Sequence, residues 1–125
     1  MKIVHFLRNE AKKLGTGLTG IETHPDPRPV LLEIYKQTLQ VLSFMPNHSV
    51  YRQATETLTK QRQTIVEKNT VREDIENKIA CGLIEEVILQ AKDELNLAKK
   101  MLEWKPWEDL QVQPPPGQWE YFRKK

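Results

Sequence analysis

Gly15-Thr16-Gly17-Leu18-Thr19-Gly20 matches G-x-G-x-x-G letter for letter, the turn that lays a dinucleotide's pyrophosphate on a helix N-terminus. That chemistry needs a strand leading in and a helix leading out. Here HFLRNEAKKL precedes the glycines and reads as helix, and Pro25, Pro27 and Pro29 break the chain after them. The context supports a flexible loop. His5, His24, His48 and Cys81 are the soft metal ligands, but they fall in different predicted elements, with none of the close pairs a zinc site uses. Cys81 sits beside Gly82 with no base or catalytic signature near it, so it reads as a small apolar side chain near the core rather than a nucleophile. Glu85-Glu86 and Asp93-Glu94 supply paired carboxylates, as acid–base catalysis would need. Lys92, Lys99 and Lys100 share their side of a predicted helix, so ion pairing on a wet face explains them. No residue set here is expected to be catalytic, cofactor-binding or metal-binding.

The stronger signal concerns binding. Trp104, Trp107 and Trp119 are all the tryptophans of the chain, and they follow one long amphipathic segment. Tryptophan is enriched among interface hot spots. Pro114, Pro115 and Pro116 hold the intervening chain extended, which lowers the ordering cost of binding. Trp104 and Trp107 also fit a cap on the protein's own core, whereas Trp119 lies farther out and is read as partner-facing. Tyr51 and Arg52 complete the expected partner-binding set.

The elements that position these residues are helical. Asp26 is placed as an N-cap, with Pro27 at the first helical position and Pro29 still inside the first turn. Leu31, Ile34, Tyr35, Thr38, Leu39, Leu42 and Met45 then step by three and four, and Pro46 ends the run. A second helix is expected after Asn47 as N-cap, with Tyr51, Ala54, Leu58, Arg62 and Ile65 on its apolar face. Thr70 and Glu73 form a capping-box pattern ahead of a short helix carrying Val71, Ile75 and Ile79, stopped by Gly82. Ile84, Val87, Ile88, Ala91, Leu95, Ala98 and Leu102 mark the long helix, from Leu83 to about Glu103, closed by Pro106. No segment alternates as a strand would, and short connections favour antiparallel neighbours. The predicted fold is all-α: a small antiparallel helical bundle of three main helices plus a short one, with extended N- and C-terminal segments. The expected divisions are 1–26 (a basic segment and a Gly/Pro connector), 27–105 (the bundle) and 106–125 (a Trp/Pro-rich tail).

Composition narrows the function classes. The chain has 125 residues, one domain's worth, with 38% hydrophobic and 29% charged residues. That suits a narrow core with a large wet surface, or a subunit that completes its burial on a partner. The net charge of +2 comes from interspersed acids and bases, unlike the one-sided basic face of a nucleic-acid binder. One cysteine excludes an internal disulfide. No apolar run approaches the ~20 residues of a membrane span, so a soluble or peripheral protein is expected. Near the N-terminus, Ile3, Phe6, Leu7 and Leu14 fall on one helical face among Lys2, Arg8, Lys12 and Lys13. That is the broad profile of a mitochondrial address, and an exposed basic helix fits as well.

Taken with these elements, Glu85 to Trp107 (EEVILQAKDELNLAKKMLEWKPW) resembles the alpha subcomplex subunit 5 family of mitochondrial NADH:ubiquinone oxidoreductase, respiratory complex I. Pro114-Pro115 and Gln118-Trp119 are similar to that family's tail. Thr16 to Ile21, Tyr35 with Leu39, Pro46, Tyr51-Arg52, Glu56, Thr59 and Arg62 fall where its pattern has them. The resemblance covers about Thr16 to Trp119, departing at Met1 to Leu14 and at Val66 to Ile79. It implies a non-catalytic accessory subunit without cofactors, on the matrix side of the inner membrane in the peripheral arm near the ubiquinone-reducing module. It also implies a role in assembly and stability, core and accessory subunits of that arm as partners, and the thirty-kilodalton core subunit first among them. The residues alone leave a second reading open: a free helical adaptor that binds a partner through its aromatic and proline tail.

Overall fold

The structure, a computed structural model, describes Gly17 and residues 20–121. The basic helix expected before the glycine motif lies outside the described residues, as do Gly15, Thr16, Leu18 and Thr19 of the motif itself. Among the described residues there are four helices and no strand: α1 (Pro27–Leu42), α2 (Val50–Lys68), α3 (Arg72–Ile79) and α4 (Ile84–Trp104).

α1 starts where the prolines allow. Asp26 occupies the N-cap position but makes no side-chain cap bond; its backbone N–H donates instead to His24 Nδ1 at 3.1 Å. The helix ends at Leu42, ahead of Pro46. Proline disfavours helical backbone in the residue before it, and the chain tightens early through Phe44 N–H to the Val41 carbonyl and Met45 N–H to the Leu42 carbonyl.

α2 departs from expectation in two ways. Its N-cap is Ser49, not Asn47: the Ser49 hydroxyl accepts from Arg52 N–H at 3.4 Å. A turn from the Pro46 carbonyl to Ser49 N–H places that hydroxyl, and serine caps as well as asparagine does. Its buried face is also rotated. Thr55, Thr59 and Val66 are buried, while Ala54 and Leu58 are exposed. The apolar stripe on this helix is thin, so packing against α1 decides which side turns inward, and two threonines go in where alanine and leucine were expected.

The capping box at Thr70 does not form. α3 begins at Arg72 with Val71 at the N-cap and no side-chain cap bond. It stops before Gly82, on Ala80, which takes a left-handed conformation at φ 58°. Gly82 (φ 89°) turns the chain again into α4. There Glu86 accepts from Leu83 N–H at 2.8 Å, and Glu76 of α3 accepts from Ile84 N–H at 2.9 Å. Two carboxylates thus satisfy free donors of the long helix and sit at the positive end of its dipole. Leucine has no acceptor to return the bond, so only the Glu86 half of a capping box exists. α4 runs 21 residues, about 31 Å, and ends on Lys105, left-handed at φ 52°.

α1 is the spine. It packs most extensively on α4, then on α2, while α3 bridges α2 and α4. Arg28 at the start of α1 donates to the Val66 and Glu67 carbonyls at 2.9 and 2.8 Å, so a cation caps the C-terminal end of α2. α1 and α2 are therefore antiparallel, as the short link between them predicts. One apolar cluster joins Leu31, Ile34 and Tyr35 to Val66, Ile75, Ile84, Val87, Ile88, Ala91 and Leu95. A second, at the other end, joins Leu42 and Met45 to Ala98. α4 thus runs alongside α1 in the same direction. Each large side chain buried in these clusters is worth about 1.5–3 kcal/mol.

Candidate partner-binding surface

Tyr51 and Arg52 open α2 where it meets the second cluster. The Tyr51 hydroxyl donates to Glu94 Oε1 at 2.6 Å, linking α2 to α4. Burial, and then the Glu94 carboxylate that its proton serves, push the Tyr51 pKa well above the ordinary tyrosine range. Arg52 serves its own chain: its guanidinium donates to the Met45 carbonyl and pairs with Glu56 at 3.3 Å, fixing the α1–α2 loop. Lys60 reaches Glu56 from the other side at 2.6 Å. Its hydrogen bond holds the Glu56 pKa below the usual carboxylate value against the opposing desolvation, and Arg52 adds to the lowering.

The three tryptophans are not equivalent. Trp107 is half-buried and packs on the cluster of Leu42, Met45 and Ala98, beside Tyr51, Met101 and Leu102. Trp104 is 64% exposed at the last residue of α4, and Trp119 is 78% exposed. Trp119 sits at φ 64°, just after a turn from the Pro115 carbonyl to Gln118 N–H, and a second turn joins Gly117 to Glu120. The proline run thus leads into a double turn that presents the indole outward. Leu110 and Val112 of the same tail are also exposed.

Of the carboxylates expected on a wet face, Asp93 is exposed, but Glu85, Glu86 and Glu94 behave otherwise. Glu85 is buried at 5% exposure. It pairs with Arg72 of α3 and accepts from His24 N–H at 3.2 Å, and Arg72 also donates to the His24 carbonyl. The connector is tied to α3 and α4 through this one group. The sequence hides it because Glu85 and Glu86 are adjacent, and only tertiary packing separates a buried ion pair from a helix cap. Glu94 binds Tyr51 rather than a neighbouring lysine. Cys81 is half-buried against the main cluster, as expected of a small apolar side chain, and accepts from Arg62 at 3.2 Å. Among the described residues no group of His, Cys, Asp and Glu is placed to hold a metal ion, and no helix is long and apolar enough to cross a membrane.

One feature of the surface was not anticipated. α2 and α4 both pack on α1, but their backbones stay apart, and side chains such as Tyr51 and Glu94 join them. Between them lies a groove of about 490 Å³. Tyr35 and Thr38 of α1 line it, with Ala54, Thr55, Leu58, Thr59 and Arg62 of α2 facing Gln90, Ala91, Asp93, Glu94 and Leu97 of α4. Among the described residues the buried Tyr35 hydroxyl finds no hydrogen-bond partner of ordinary geometry. Burial raises its pKa, and the Arg62 charge pulls it partly back. The signal available in the sequence was Ala54 and Leu58, apolar residues at helical spacing that the protein's own core does not use.

Fold and surface together define, among the described residues, a small all-α protein that leaves two tryptophans and an apolar groove exposed. The family described as the ETC complex I subunit conserved region matches residues 20–86. NADH dehydrogenase (ubiquinone) 1 alpha subcomplex subunit MCI4 of Candida albicans is 47% identical over 126 residues, covering 100% of this chain and 91% of the relative. Subunit 5 of the same alpha subcomplex from Rattus norvegicus is 41% identical, covering 87% of this chain and 94% of its own. A probable mitochondrial subunit 5 from Arabidopsis thaliana is 40% identical over 76% of this chain and 56% of its own. The chain belongs to the complex I alpha subcomplex subunit 5 family.

Proposed function

We propose that this protein is a non-catalytic accessory subunit of mitochondrial respiratory complex I. It sits on the matrix-facing peripheral arm near the ubiquinone-reducing module, peripheral to the inner membrane. There it supports assembly and stability of the arm during electron transfer from NADH to ubiquinone. The observation that carries the reading is similarity along nearly the whole chain, at 47% and 41% identity, to proteins named as subunits of this enzyme's alpha subcomplex. Its partners are subunits of the arm, the thirty-kilodalton core subunit first among them. Trp104 and Trp119 are the contacts with most surface to offer. Trp107, Tyr51 and Arg52 set the shape of that end of the bundle while contributing their remaining exposed edges. Native electrophoresis of a mild-detergent mitochondrial extract tests this. The chain, tagged where assembly is retained, should co-migrate with NADH-dehydrogenase activity, and its loss should reduce the assembled arm. Migration as a small free species would overturn the proposal and leave the adaptor reading.

A further inference from the structure

We draw no further inference here: the strongest candidate, the apolar groove between α2 and α4 with Leu58 and Leu97 in its lining, carries none because nothing in the structure shows what covers it.

Discussion

Tyr51 and Glu85 each concentrate several interactions in one side chain, and each is open to a single substitution. Tyr51→Phe keeps the ring but removes the 2.6 Å bond to Glu94. The expected loss is about 1 kcal/mol, read as a lower urea midpoint at unchanged slope. Its pH dependence follows from the raised pKa. The fold favours the protonated phenol, so the contribution is fully present below the ordinary value of 10.0. It is lost as pH rises through the higher folded value. The wild-type protein should therefore lose more stability than Tyr51→Phe on alkaline titration. Glu85→Gln keeps an acceptor for His24 N–H but removes the ion pair with Arg72. Arg72 retains access to water, with its side chain 31% exposed, so the cost falls short of a fully buried pair, at about 2 kcal/mol. Hydrogen exchange should show the loosening first in the connector and α3. An effect confined to α4 would show that the carboxylate does not tie the connector down.

The junction between α3 and α4 turns on two residues at positive φ, Ala80 and Gly82, and gives the best test of how these elements are set. Ala80 holds a left-handed φ of 58°, a position where glycine has no Cβ penalty. Ala80→Gly should raise the stability of the isolated protein by about 0.5–1 kcal/mol, checked by thermal melting. Gly82 is the opposite case. It has φ 89°, and a Cβ there would meet Glu86 Oε2 at 2.1 Å. Gly82→Ala must strain the turn and displace the carboxylate that caps Leu83 N–H, so a loss of about 1–3 kcal/mol is expected. A neutral result would mean that Glu86 contributes nothing to holding the end of α4.

For the whole molecule the central question is which apolar surface serves the bundle and which serves its neighbours. Trp107 packs on the second cluster, so Trp107→Ala should lower both the melting temperature of the isolated chain and its incorporation into the complex. Trp119 touches no part of that cluster and is 78% exposed. Trp119→Ala should leave the melting temperature unchanged while weakening incorporation by about tenfold or more, if the indole is an anchor in a partner's pocket. Native electrophoresis with circular dichroism separates the two effects. Equal behaviour of the two variants would show that the tail acts as one unit.

The apolar period of α1 and α4 is broad and regular, so their core faces, approximate bounds and helical class were legible in the sequence. Leu31, Ile34, Tyr35, Leu42, Val87, Ala91 and Leu95 are buried as the spacing predicts. Local rules served less well where several residues compete for one role. Ser49 rather than Asn47 caps α2 because a turn at Pro46 puts its hydroxyl in reach, and Ala80 rather than Gly82 ends α3. Three matters depended on tertiary structure alone: the side of α2 that turns inward, the burial of Glu85, and the groove beside Tyr35. Each depends on the distance between helices that are remote in sequence. Helical periodicity, being a property of one segment, specifies a face but neither the neighbour that covers it nor the gap left where two neighbouring backbones stay apart.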